Sequence, residues 1–183
     1  MALQQFTSTP AAGFDQPLSI LSACHNRILH FCTLLERLAA HLRQHGADIQ
    51  AEETARLIHR YFSTAGKHHH RDEEDDLFPM LIEHEAALNT LVETLREAHR
   101  TMDSVWEQLQ AMLTDLPSVD TAAFELIAEQ FIAMNREHVA LENRELLPRA
   151  ATLLSNKQQE QLGQAMATRR NVEYVSPTSD DMS

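Results

Sequence analysis

The sequence predicts an all-α fold, an up-down-up-down four-helix bundle with a short extra C-terminal helix. Two observations predict it. Apolar residues recur at spacings of three and four along four long segments, and only 4 of the 183 residues are Gly. Short connections between the segments favour antiparallel neighbours. At this length, with 43% hydrophobic residues, the chain is expected to form one domain with its own core.

The first helix is predicted from Pro17 to about His45. Its apolar face has residues at spacings of three and four, which are Leu18, Leu21, His25, Ile28, Leu29 and Cys32. Gly46 is expected to end this helix, because Gly readily adopts the conformation that terminates helices. The preceding residues 1–16 contain Pro and Gly breakers and are expected to form an irregular lead-in to a bundle over 17–150.

The second and third helices follow from the same periodicity. The second is predicted from about Ile49 into the 80s, with Gly66 weakening it and Pro79 kinking it or ending its regular hydrogen bonding. Its inward stripe consists of Ile58, Phe62, Ala65, His69, Glu73 and Met80. The third is predicted over about 87–113, with Leu88, Val92, Leu95, His99, Met102 and Trp106 in phase.

The fourth helix is predicted over about 120–147, and a short helix follows it over 151–170. The inward residues of the fourth are Ile127, Phe131, Met134, His138, Leu141 and Glu142. Ser155 and Gln158 have the spacing of a capping box, which predicts the start of the last helix. Residues 171–183 are rich in Ser and Asp and are expected to form a disordered tail.

Composition and charge exclude several classes of partner. Asp and Glu number 27 against 15 Lys and Arg, a net charge of −12, and such an acidic chain is not expected to bind nucleic acid. No apolar run approaches the length of a membrane span, and the first residues do not resemble a signal peptide. We therefore expect a soluble cytoplasmic protein with no nucleic-acid or membrane partner.

Two cysteines, Cys24 and Cys32, fall in the first predicted helix. Eight helical residues separate their Cα atoms by about 12 Å, which is too far for a disulfide. We expect two unpaired thiols, buried or half-buried, in a reducing compartment.

Two His–Glu pairs carry the functional signal. Glu73 follows His69 by four residues, and Glu142 follows His138 by four, so each pair shares one helix face with about 6 Å between its members along the axis. In both segments a Pro stands ten residues after the His. His25 and His99 match each other in the first and third helices, 74 residues apart, while the pairs are 69 apart. This pattern indicates a duplicated helical hairpin.

Four inward imidazoles and two carboxylates predict a metal centre. Burying these groups in an apolar interior is unfavourable unless a cation satisfies them. Six protein ligands exceed the four that tetrahedral zinc takes, whereas two octahedral ions with bridging carboxylates leave positions open for a small molecule. Mixed imidazole and carboxylate ligation suits iron, with manganese as a competitor.

Simpler interpretations of single residues remain open. A lone inward His is more often a core or rim residue than a ligand, and His–Glu pairs at this spacing occur on many exposed helices. The helical phase favours His69 over its neighbour His70, which is expected to be a solvated residue beside Glu74 and is kept as a fallback ligand. Four other histidines are expected at the surface, which are His41, His45, His59 and His84.

The segments around these residues resemble the hemerythrin-like HHE cation-binding family. The resemblance covers about residues 18–150 and rests on one motif in each predicted bundle helix. The motifs of the first and third helices are Ser22-Ala23-Cys24-His25-Asn26-Arg27-Ile28-Leu29 and Glu97-Ala98-His99-Arg100. Those of the second and fourth are His69 with Glu73-Glu74 and Leu77-Phe78-Pro79, and His138 with Glu142 and Leu146-Leu147-Pro148. It implies a non-haem di-iron centre with an oxo or hydroxo bridge, for which manganese or zinc are possible substitutes. The implied metal ligands are His25, His69, Glu73, His99, His138 and Glu142, with the two Glu as bridges.

The chain departs from the oxygen-carrying members of that family. Those proteins have a further His one turn after the third-helix ligand, where this chain has Asp103, and their fourth-helix carboxylate is one residue further from its His. The resemblance therefore implies a more symmetric site with four His and two carboxylates.

The function expected from the resemblance is binding or sensing of a small ligand such as dioxygen, nitric oxide or peroxide. The alternatives are a di-iron redox enzyme, acting in peroxide or nitric oxide detoxification or in iron–sulfur repair, and an iron store or buffer. Apolar surface on the first or the last helix makes a homodimer a further possibility.

Overall fold

The computed structural model describes residues 13–175, and its long helices form the predicted bundle. The first bundle helix is α1 (Pro17–His45). The second consists of three α-helical segments, which are α2 (Ile49–Tyr61), α3 (Lys67–Arg71) and α4 (Phe78–His84). The third is α5 (Asn89–Thr114). The fourth consists of α6 (Thr121–Leu141) and α7 (Leu147–Leu153), and the short last helix is α8 (Asn156–Arg169).

Local sequence explains where several helices begin and end. Gly46 has a positive φ of 76° and ends α1. Asp48 accepts a hydrogen bond from the Ala51 amide at the start of α2, and Asp120 accepts one from the Ala123 amide at the start of α6. The predicted capping box is present at the start of α8, where Ser155 is the N-cap residue.

Three π-helical turns join the α-helical segments of the second and fourth bundle helices. They are Phe62–Gly66, Asp72–Leu77 and Glu142–Leu146. The second bundle helix extends into the 80s as predicted, to His84, and the irregularity expected at Pro79 is the π-helical turn that ends at Leu77, just before the proline. Pro79 and Pro148 stand in the first turn of the next α-helix, a position that tolerates a residue without an N–H.

The apolar core forms two clusters along the bundle. One contains Leu35, Ile58, Phe62, Trp106 and Phe131, among others. The other contains Leu21, Phe78, Leu95, Leu146 and Met166, among others, and includes residues of α8. Each bundle helix contributes to both clusters, and its predicted ligands lie close to the point where it passes from one cluster to the other. The candidate site therefore occupies a polar layer between two apolar clusters.

The ends of the chain and the cysteines complete the fold. Residues 1–12 and 176–183, which include most of the expected lead-in and tail, lie outside the described residues. Cys24 is half-buried and Cys32 is buried, and both are unpaired as predicted. Within residues 13–175, none of the helices has the length and apolar character needed to cross a membrane.

Candidate metal centre

The six predicted ligands meet in the interior of the bundle. Each is at most 5% exposed, although all are polar or charged. One comes from α1, one from α5, and a His–Glu pair from each of the other two bundle helices. The six residues are His25, His69, Glu73, His99, His138 and Glu142.

The ligand atoms form two sets that have both carboxylates in common. The first set contains His25 and His69 with Glu73 and Glu142, and the second contains His99 and His138 with the same two Glu. Within each set the candidate ligand atoms lie within 4.8 Å of one another. This is the arrangement of two neighbouring cation positions bridged by two carboxylates.

The two oxygens of each carboxylate face different histidines. In Glu142, Oε2 lies 3.1 Å from His25 Nε2, and Oε1 lies 3.1 Å from His138 Nε2. In Glu73, Oε1 lies 3.5 Å from His69 Nε2, and Oε2 lies 3.6 Å from His99 Nε2. Each Glu can therefore supply one oxygen to each cation position.

The spacing of the ligand atoms fits octahedral coordination. Two ligand atoms bound at about 2.1 Å and at right angles lie about 3.0 Å apart. The Nε2 atoms of His99 and His138 are 2.9 Å apart, and the closest His–Glu contacts are 3.1 Å. These shortest separations are close to the edge of an octahedral shell, and the Glu73 contacts, at 3.5 and 3.6 Å, are somewhat longer.

Several of the buried ligand atoms have no hydrogen-bond partner among residues 13–175. They are both carboxylate oxygens of Glu73 and of Glu142, Nε2 of His25 and both ring nitrogens of His69. The 3.1 Å contact between His25 and Glu142 is short, but its angle does not fit a hydrogen bond. Buried polar atoms left in this way are strongly unfavourable, and a cation would satisfy them together. The donor set thus fits a metal.

The electrostatics of the site favour positive charge between the carboxylates. Burial lowers the pKa of His69 to about 3, so this imidazole is neutral and available as a ligand. Burial acts in the same direction on His25, but Glu142 and Glu73 outweigh it and raise the pKa of His25 to about 10. A proton on His25 thus supplies part of the positive charge that a cation would bring, and metal binding would displace it.

The two carboxylates have opposite pKa shifts. Burial, together with the charge of Glu142, raises the pKa of Glu73 well above its usual value. Burial also acts to raise the pKa of Glu142, but the nearby imidazoles of His138 and His25 outweigh it and hold the pKa well below its usual value. Two carboxylates this close favour the ionised form together only when additional positive charge lies between them.

Hydrogen bonds outside the six-residue set orient two of the rings. His25 Nδ1 lies 2.8 Å from Asn143 Oδ1, and His99 Nδ1 lies 2.6 Å from Glu74 Oε1. Each contact lets Nδ1–H donate outward and leaves Nε2 facing the centre. Glu74 directly follows Glu73, and Asn143 directly follows Glu142, each in a π-helical turn.

His70 and Glu74 do not have the solvated positions expected from helical phase. The His70 ring is half-buried and stacks on the His99 ring at 3.9 Å between centroids, and Glu74 binds His99. One ring nitrogen of His70 also lies close enough to those of His99 and His138 to form a third candidate metal group. The π-helical turn before α3 changes the orientation of His70, because its extra residue rotates the side chains that follow by about 100°. Glu74 itself lies within the second π-helical turn, where α-helical phase does not apply.

Asp72 is a functional candidate that the sequence did not reveal. Its carboxylate is fully buried and pairs with the guanidinium groups of Arg169 and Arg170 at the end of α8. Arg169 also reaches Asp76 at 2.6 Å. These ion pairs fasten α8 to the turn that carries Glu73. The only sequence signal was the Arg169-Arg170 pair opposite an acidic run in an otherwise acidic protein.

A small cavity lies beside the His99 side of the centre. Its volume is about 20 Å³, enough for one water-sized molecule, and His70, Met102, Trp106 and Phe131 are among its lining residues. A surface groove of about 300 Å³ shares His70 and Trp106 with this cavity. Asp103 is exposed and lines both the cavity and the groove, outside the six-residue cluster.

Of the four histidines expected at the surface, two are exposed and two are half-buried, and three larger side chains near the centre pack in the core. The Tyr61 hydroxyl donates to the Cys24 carbonyl at 3.5 Å, and its ring stacks on Phe31. His45 and His84 are exposed, and His41 and His59 are half-buried. Trp106 and Met102 are buried parts of the core.

Comparison with known proteins agrees with the geometry. The family model of the hemerythrin HHE cation-binding domain matches residues 16–150, which contain all six candidate ligands. The chain is also similar to an uncharacterized protein of Haemophilus influenzae, at 30% identity over 162 residues, which cover 88% of this chain and 94% of that protein. The chain therefore belongs to the hemerythrin HHE cation-binding domain family.

Proposed function

We propose that the protein is a non-haem di-iron protein that binds or senses a small ligand such as dioxygen, nitric oxide or peroxide. The observation that carries the proposal is that two His pairs face opposite oxygens of the same two buried carboxylates. A single ion would leave half of these buried atoms unsatisfied. Imidazole and carboxylate ligands with positions left open suit iron.

Each residue has a defined part in this proposal. His25 and His69 hold one iron, His99 and His138 hold the other, and Glu73 and Glu142 bridge them. The iron pair would supply an oxidisable centre with open positions for the ligand. The two apolar clusters keep bulk water from the site, and the cavity beside His70 offers space for a small molecule next to it.

Metal analysis of the purified protein tests the proposal. We expect about two irons per chain and an absorption spectrum that changes on addition of azide or nitric oxide. His69→Ala and His138→Ala should each lose iron, because each removes a ligand from one position, whereas the exposed His84→Ala serves as the matched control. Protein that carries zinc alone, or that folds and functions without metal, would contradict the proposal.

The same preparation separates binding from the alternatives. Sustained turnover of peroxide or nitric oxide by the iron-loaded protein would identify a redox enzyme. Rapid reversible iron loss to a mild chelator, with no spectral response to ligands, would identify a store. We place the protein in the cytoplasm, which suits its two unpaired thiols.

A further inference from the structure

We propose that the two metal positions are chemically unequal, and that Glu74 makes the ion held by His99 and His138 the more easily oxidised one. The inference rests on the proposed di-iron centre and assigns different roles to its two halves. It concerns Glu74 and Asn143, neither of which is among the six ligands.

In both halves of the bundle, the residue after the buried Glu accepts a hydrogen bond from a histidine, but the accepting groups differ chemically. In the turn Asp72–Leu77, the residue after Glu73 accepts a hydrogen bond from His99. In the turn Glu142–Leu146, the residue after Glu142 accepts one from His25. The first acceptor is the carboxylate of Glu74, and the second is the amide oxygen of Asn143.

A carboxylate and an amide affect a ligating imidazole differently. The His99–Glu74 contact is 2.6 Å long and the His25–Asn143 contact is 2.8 Å. Once both imidazoles bind metal and are neutral, the first bond has an anionic acceptor and the second a neutral one, and a bond to a charged acceptor is the stronger. An imidazole that donates to a carboxylate is a more basic ligand, and it stabilises the higher charge on its metal. The ion at His99 should therefore lose its electron more readily than the ion at His25.

Other features of the structure add to this inequality. His70 stacks on His99, while the ring of His69 meets His25 edge-on. The surface groove is lined by Glu74 and His70, so it lies on this side of the centre. The side chain of Glu74 is 39% exposed, and water therefore weakens its effect on His99. Residues that support metal ligands typically change metal affinity or activity by tenfold to hundredfold, and we accordingly expect Glu74 to change the oxidation preference by about the lower of these factors.

Glu74→Gln tests the proposal, because glutamine keeps an oxygen that accepts the hydrogen bond and removes the charge. Reduced iron-loaded protein is titrated with two equivalents of ferricyanide, each of which accepts one electron from one iron and becomes ferrocyanide. We expect two separate one-electron steps in the natural protein. In Glu74→Gln, the preference of the first-oxidised position for the oxidised ion should fall about tenfold, a rise in its potential of about 59 mV.

Asn143→Asp is the reciprocal variant. It adds a carboxylate beside His25 in the same geometry, so the potential of the second step should fall and approach the first. The double variant should exchange the order of the two positions. Asp103→Asn is the matched control, since it removes an exposed carboxylate from the same groove without touching His99.

A measurement on zinc-loaded protein provides a readout independent of iron chemistry. The Nδ1 proton of His99 should resonate at the lowest field among the imidazole protons, because a short charge-assisted hydrogen bond deshields it. Glu74→Gln should move this resonance upfield and leave the His25 resonance in place.

The outcomes distinguish this inference from the di-iron proposal. Protein without two irons per chain would overturn both. Two irons whose potentials do not change in Glu74→Gln and Asn143→Asp would overturn the inference alone. Equal shifts in Glu74→Gln and Asp103→Asn would also overturn it, because they would show a general effect of charge instead of one transmitted by the hydrogen bond.

Discussion

The π-helical turns Asp72–Leu77 and Glu142–Leu146 have the same role in the two halves of the bundle but differ in their surroundings. Each carries one buried carboxylate of the candidate metal centre and precedes an α-helix with Pro in its first turn. The first turn is fastened to α8 through the buried Asp72. In the second turn, the two residues that follow Glu142, Asn143 and Arg144, are exposed.

The difference shows which parts of the repeat the site requires. The turn and its Glu are present in both halves, because together they direct two oxygens toward two cation positions. The neighbouring residues differ, and they determine how firmly each turn is held and what charge supports the nearby imidazole. The two halves thus share the π-helical turn and its candidate ligand, and they differ in the residues next to that ligand.

Removing either bridging carboxylate should have the largest effect. In Glu73→Ala and in Glu142→Ala, both cation positions lose an oxygen ligand, so iron should fall from about two per chain to less than one. Metal analysis after brief exposure to a chelator measures this loss. The half-buried Glu145, in the second turn but outside the ligand set, supplies the control variant Glu145→Ala. Retention of one full iron in either Glu variant would argue against shared carboxylates.

Breaking the ion pairs of Asp72 should destabilise the first half. Removing one partner of a buried charge pair costs about 3–5 kcal/mol, and the partly exposed arginines place Asp72→Asn near the lower value, about 3 kcal/mol. For a chain of this size, that corresponds to a drop in melting temperature of roughly 6–12 °C. Thermal unfolding measures it. Asp75→Asn, which affects exposed pairs, should change stability by less than about 0.5 kcal/mol.

Weakening a helix cap should affect the two turns selectively. Ser155→Ala removes the capping box of α8 and should lower stability by about 1 kcal/mol. Because α8 packs on the first turn, hydrogen exchange should accelerate there more than in the second turn. Asp120→Ala removes a comparable cap from α6, which leads into the second turn, and should show the reverse pattern. Identical exchange patterns in the two variants would contradict the conclusion that α8 stabilises the first turn more than the second.

The smallest expected effect concerns the two thiols. Burial raises the pKa of both, that of Cys32 to about 12, so about one Cys32 in ten thousand is a thiolate at pH 8. An alkylating reagent should therefore modify the half-buried Cys24 first, faster as pH rises. Asp72 contributes to the raised pKa of Cys24, so Asp72→Asn should accelerate this reaction. Mass spectrometry identifies the modified residue, and preferential labelling of Cys32 in the folded protein would contradict the prediction.

Much of the fold, and the clustering of the six candidate ligands, could be predicted from the sequence. Apolar periodicity predicted the four bundle helices, and the spacing of Ser155 and Gln158 predicted the start of α8. The His–Glu spacing and the repeat predicted which six polar residues the structure brings together. Their role as ligands of iron stays a prediction.

The parts that sequence reasoning missed have a common physical cause. A π-helical turn changes the backbone hydrogen-bond register without altering the spacing of residues along the chain, so apart from the irregularity expected at Pro79, nothing in the second helix indicated it. The positions of His70 and Glu74 depend on that register. Asp72 stands in an acidic run that is typical of a solvated surface, and only the distant Arg169 and Arg170 make it a buried residue.

The division of the core into two apolar clusters has a consequence for cooperativity. Without metal, the clusters meet across a layer of unsatisfied polar groups, so the two ends of the bundle are weakly coupled during unfolding. Ions held by residues of all four bundle helices would join the ends into one cooperative unit. Calorimetry should therefore show a broader transition for metal-free protein, with a van't Hoff enthalpy below the calorimetric enthalpy, and agreement of the two enthalpies after metal loading.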